Sequence, residues 1–343
     1  MGSGLAALAL GLACGGDDGD RSPSSGPPLE SIGPGSSSSG ATTTSGASAT
    51  DGPMTAGSGA DDTMGPATDG GGVKFDLPSS DLVIDDGCAA IDFMFVIDNS
   101  ISMQGEQDAL KAAFPAFIDT IQSTLPTTDY HIMVVDTDAE GRCSPMTCSH
   151  STCDEAMDYA CGNVFDACDT TRGAGVVHPA GDGASNMLCD LQGGHRYIEE
   201  GQPDLSSTFS CIASVGLAGH PSERPVDGMV EAVSPMLQTA GGCNEGFLRD
   251  DGILVVTFIS DDPNVEDTNS AQEAYDALVA AKNGNAEAIV MLGLIPGGQP
   301  HWSDLIALFG DRGIEGPVST EDYNQFFLDA VSIIEDTCLD FEG

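Results

Sequence analysis

The sequence predicts an α/β protein with a doubly wound, mainly parallel sheet and helices on both faces. Two observations carry the prediction. Four segments, 90–98, 129–139, 252–262 and 286–295, hold consecutive rather than alternating apolar residues, as strands buried on both faces do. Between and after them lie segments with apolar residues at helical spacing, and strands that alternate with helices build a covered parallel sheet. A third observation concerns function. Asp98 and Asp261 each stand at the carboxyl end of one of these strands, where open α/β sheets bind their ligands.

The elements follow in order. "AIDFMFVID" is the first strand. The helix after it, 105–125, places Leu110, Phe114, Phe117, Ile118, Ile121 and Leu125 on one stripe, with Pro115 expected to bend it. "DYHIMVVDTDA" is the second strand, and "RPVDGMVEAVSPMLQTA" reads as one helix. "GILVVTFISDD" is the third strand, followed by a helix over 269–282 with an Asn/Ser cap at its start. "AEAIVMLGLI" is the fourth strand, and helices over 301–310 and 323–339 close the domain. Residues from about 140 to 210 interrupt the alternation: periodicity is low, and Cys143, Cys148, Cys153, Cys161, Cys168 and Cys189 fall there. This stretch reads as a cysteine-rich insertion, stapled rather than packed.

The N-terminal part is of another kind. Residues 14–76 are rich in Gly, Ser, Thr, Ala, Pro and Asp. They cannot bury enough apolar surface to offset chain entropy and are expected to be a disordered tether. Residues 1–13 carry a short apolar run that ends in small residues before Cys14. That run is too short for a membrane span and has the length of a signal h-region. It resembles a bacterial lipoprotein signal, which implies lipidation at Cys14 and a membrane-anchored place at the cell envelope or surface; simple secretion is the alternative. A lipid anchor would be the only membrane attachment. The folded domain is then 77–343.

Composition narrows the function. The 343 residues include 54 acidic and 10 basic ones, a formal charge of −44. Such a surface repels phosphate backbones, so nucleic acid is excluded as a partner, and it attracts cations. The 11 cysteines lack metal-type CxxC pairs, so an exported, disulfide-bonded chain is expected. Their odd number fits a separate role for Cys14. Cys88 and Cys338 flank the domain, whose ends are expected to lie close, and are expected to pair. The remaining eight would form bridges within the insertion and with Cys211 and Cys243.

The chemistry concentrates in "DFMFVIDNSISM". If the chain turns tightly after the strand, Asp98, Ser100 and Ser102 direct three oxygens at one point, a donor set for a hard divalent cation. Asp261 would come from another strand end. The plainer alternative is a turn with a helix cap. "FMFVIDNSISM" resembles the first strand and metal-binding loop of the von Willebrand factor A (VWA) domain family. Asp98, Ser100 and Ser102 match its Asp-x-Ser-x-Ser motif, and Asp261 in "FISDD" matches its later metal-site aspartate. The resemblance spans about residues 84–340 and implies a Rossmann-like VWA fold with a Mg²⁺, Mn²⁺ or Ca²⁺ ion. The family's third-loop threonine is missing from "SVGLAGHPSERPVDGMVEA". Ser222 is the nearest hydroxyl there, and Glu223 could bind the ion directly. A carboxylate at that place would favour Ca²⁺ or Mn²⁺ and could occupy the position of a partner's carboxylate.

The resemblance implies a surface-displayed binding or adhesion module, not an enzyme, whose metal binds an extracellular protein or another carboxylate-bearing ligand. Two alternatives are a metal-assisted hydrolase and a structural envelope protein whose metal only stabilises the fold. The sequence has no GxSxG, no phosphate-binding glycine loop and no HExxH pairing among its six histidines.

Overall fold

The computed structural model describes residues 87–125, 127, 129–137, 166–219, 223–262, 266–320 and 322–341, all within the compact unit Phe75–Gly343. The signal-like segment, the tether and Cys14 lie outside the described residues.

Six strands form one mixed sheet in the order β3-β2-β1-β4-β5-β6. They are β1 (Ala90–Ile97), β2 (Tyr130–Asp136), β3 (Ile198–Glu199), β4 (Gly252–Ile259), β5 (Ile289–Ile295) and β6 (Gly313–Pro317). Every pairing is parallel except β2 with β3. The helices are α1 (Gln104–Thr124), α2 (Leu205–Ala213), α3 (Pro225–Ala232), α4 (Pro235–Gln238), α5 (Ala271–Ala281), α6 (Pro300–Ala307) and α7 (Asn324–Leu339).

The consecutive apolar residues of the central strands feed two cores. In β1, Ile91, Phe93, Phe95 and Ile97 join one face with α1, α2 and α7. Met94 and Val96 join the other with α3, α5 and α6. The pleat sends successive side chains to opposite faces, so a strand covered on both must be apolar throughout. On the first face Phe114 of α1 stacks on Phe209 of α2 with centroids 3.6 Å apart. On the second, Trp302 packs edge-on against Phe258 at 6.0 Å. Each such buried side chain contributes roughly 1.5–3 kcal/mol. The one carboxylate inside β1, Asp92, points to the second face and is held by the Arg249 side chain and backbone N–H, both at 2.8 Å.

The structure corrects some sequence expectations and bears out others. The sheet has six strands rather than four, because β3 is two residues long and β6, "GIEGP", has no apolar run. The segment expected as one helix over 224–240 breaks into α3 and α4 at Ser234-Pro235. Proline cannot continue the ladder and forces Ser234 into an extended conformation, with ψ at 147°. The helix α1 continues past Pro115. The insertion read over about 140–210 overlaps α2, which begins at Leu205. The cap of α5 is a full capping box between Ser270 and Glu273.

Three disulfides are described: Cys88–Cys338, Cys168–Cys243 and Cys189–Cys211. Cys143, Cys148, Cys153 and Cys161 lie outside the described residues. Such bridges fit an oxidising compartment outside the cytoplasm. Among the described residues no helix is long and apolar enough to cross a membrane.

Candidate metal centre

Strands β1 and β4 run parallel with Ile97 opposite Ile259, so the chain leaves the sheet at Asp98 and Ser260 side by side. The Asp98 N–H donates to the Ile259 carbonyl at 3.0 Å, which extends the ladder one residue beyond the strands. Asp98 is fully buried. One of its carboxylate oxygens accepts from the Ser100 N–H at 2.6 Å, and the other accepts from the Ser260 hydroxyl at 2.5 Å. The first bond makes the tight turn after β1, and that turn brings the two serines round. Ser102 Oγ donates to Asp261 Oδ1 at 2.9 Å, and the Ser100 and Ser102 hydroxyl oxygens are 3.4 Å apart.

Asp98, Ser100, Ser102 and Asp261 are therefore assembled by two loops at the carboxyl ends of adjacent parallel strands. No protein-family model and no curated protein matches the chain. The assignment of the site thus rests on its own chemistry.

Burial pushes the Asp98 carboxyl up to about 6; the Ser260 hydroxyl and the Ser100 contacts pull it back, and the negative charge of Asp261 raises it further. Asp98 and Asp261 bring negative charge to the same hydroxyls, which a hard cation would neutralise. The donors are all oxygen, so the residues present fit Mg²⁺, Mn²⁺ or Ca²⁺. Among the described residues no three of His, Cys, Asp and Glu gather at metal-binding distance. The centre is instead two carboxylates with two serines.

Glu223 is fully buried and accepts a short hydrogen bond from the Thr137 hydroxyl. Thr137 follows the last residue of β2, which lies opposite Ile97 of β1, so Thr137 and Asp98 occupy equivalent positions on neighbouring strands. The Arg224 N–H donates to the Thr137 carbonyl at 3.0 Å and keeps the 223–224 segment against that strand end. Ser222 lies outside the described residues. Cys88 and Cys338 stand at the opposite end of the sheet, before β1 and in the last turn of α7.

Three contributors escape a reading of the motif alone. Ser260 is the hydroxyl on Asp98, and its signal is a polar residue at the end of an apolar strand. Thr137 occupies the same kind of position after β2. Gln107 is buried on α1 and donates to the Asp98 carbonyl at 3.2 Å. Its signal is a polar residue one turn before Leu110 on the helix's apolar stripe.

Proposed function

We propose that this chain is an exported VWA-type binding module, with a Rossmann-like domain that holds a divalent cation at Asp98, Ser100, Ser102 and Asp261. The cation presents an open coordination position to a carboxylate of an extracellular protein or similar ligand. The observation that carries this reading is the convergence of the DxSxS loop with Asp261, through the 2.9 Å bond from Ser102. Position at the carboxyl edge of a parallel sheet supports it. Glu223, or Ser222 beside it, would supply the third loop. A third carboxylate favours Mn²⁺ or Ca²⁺, which accept more anionic oxygen donors than Mg²⁺ commonly does. The three disulfides support export, and lipidation of Cys14 would tether the domain to the cell envelope. The cation, when bound, supplies Lewis acidity and charge; the serines hold the loop close, and Asp261 orients Ser102.

The experiment is binding of the full chain to an array of carboxylate-bearing peptides in Mn²⁺ or Mg²⁺. Binding is expected with the cation, and it should vanish with chelator and in Asp98→Ala. Capture that is equal with and without chelator would contradict the proposal.

A further inference from the structure

We propose that Gln107 is a positioning residue that sets the spacing between the two loops flanking Asp98, so that cation affinity depends on its side-chain amide. The proposal rests on reading the centre as a cation site. Gln107 is 1 % exposed. Its Nε2 donates to the Asp98 carbonyl at 3.2 Å and to the Gly216 carbonyl at 2.8 Å. Its Oε1 accepts from the Gly216 N–H at 3.4 Å. One amide thus bridges the loop after β1 and the 214–219 segment that leads towards Glu223.

A second contact joins the same two segments. The Gly219 N–H donates to the Asn99 carbonyl at 3.1 Å. A Cβ on Gly219 would lie 2.1 Å from Oδ1 of the buried Asn99 side chain, so a larger residue there would have to displace that side chain from the junction. The successive carbonyls of Asp98 and Asn99 are therefore both held, the first by the Gln107 amide and the second by the Gly219 N–H. That grip fixes the direction in which the Asp98 side chain leaves the backbone.

The 214–219 segment has further anchors independent of Gln107. Ser185 donates its N–H to the Ser214 carbonyl at 3.1 Å, Leu217 donates to Asp182 at 2.6 Å, and Lys111 reaches the Ser214 hydroxyl at 3.1 Å. Loss of the amide thus displaces the loop locally while the fold remains. A buried glutamine on an apolar helix stripe, where leucine or methionine would pack without polar groups to satisfy, is otherwise costly.

The test uses the full chain, Mn²⁺ as probe, calorimetric Kd, and thermal melting in chelator. Gln107→Met keeps the volume and removes the amide; Gly219→Ala strikes the same junction from the other side. Partners that orient ligand groups typically change metal affinity by about 10–100-fold, and a Kd weakened by that factor is expected for both variants. A comparison variant, Gln202→Met, removes another buried amide that bonds Asp190 and Pro203 away from the centre; it should lower the melting temperature in chelator and leave Kd unchanged. If Gln107→Met melts lower in chelator but binds Mn²⁺ as wild type does, the residue is structural only and the proposal is overturned. Should Gln107→Met not fold, Gly219→Ala decides on the same criterion. If wild type itself binds no Mn²⁺, the cation reading falls, and this inference with it.

Discussion

Removing the Cys88–Cys338 bridge should cost more than removing any other described disulfide. The perturbation is Cys88→Ala with Cys338→Ala. The two cysteines are 250 residues apart, and both are buried. In the chain-entropy model a loop of that length contributes about 5 kcal/mol, whereas the 22-residue separation of Cys189 and Cys211 contributes about 3 kcal/mol. The dependence is logarithmic, so a shortcut through the nested Cys168–Cys243 bridge changes the larger figure little. The native state loses little by the change, because the Cys88 N–H still donates to the Cys338 carbonyl at 2.8 Å. Urea unfolding of the oxidised full chain measures the loss, and the m-value should rise as the freed unfolded chain exposes more surface. A loss below about 1 kcal/mol, or a larger loss from the Cys189–Cys211 variant, would refute the entropic account.

Other outcomes follow from the site and its surroundings. Protons compete with the cation at Asp98, whose carboxyl is pushed up to about 6 by burial; Mn²⁺ affinity measured by calorimetry should be level above that pH and fall about tenfold per unit below it. Ser260→Ala removes the hydroxyl from one Asp98 oxygen and should cost about 1–3 kcal/mol in chelator, read by urea unfolding. The sole tryptophan, Trp302, donates its indole N–H to Asp267 at 3.3 Å, and burial pushes that carboxyl up to about 6. Folded Asp267 therefore holds a proton between about pH 4 and 6 that the unfolded chain has released, so its contribution to stability falls as pH rises through that window. Trp302 emission should change with a midpoint near pH 6, and the change should disappear in Asp267→Asn.

The parts of the fold that could be read from sequence are those governed by burial. The runs at Phe93–Ile97 and Ile253–Val256 are apolar on every residue because two cores meet them, and no partially exposed element produces that pattern. Elements held by neighbours rather than by their own composition were illegible. β6 pairs with β5 through its backbone while its side chains are largely small or exposed. α2 packs through Phe209 and Ile212, a stripe too short to stand out among cysteines and serines. At the centre, Asp98, Ser100 and Ser102 form a local pattern and could be found together. Ser260 and Gln107 act on Asp98 across the fold, and their meaning depends on which strands are adjacent. The break at Pro235 was legible in principle, since proline inside a helical stripe argues for a stop.

The loop after β1 is proposed to bind one divalent cation through Asp98. Isothermal calorimetry of Mn²⁺ into the full chain, for wild type and Asp98→Ala side by side, tests it most directly, because the difference cancels non-specific uptake by a surface of −44 formal charge. Wild type is expected to show one saturable site, Asp98→Ala to lose it, and the two far-ultraviolet circular dichroism spectra to be unchanged. Equal uptake by both proteins would contradict the proposal and would leave "DNSIS" as a turn that starts a helix.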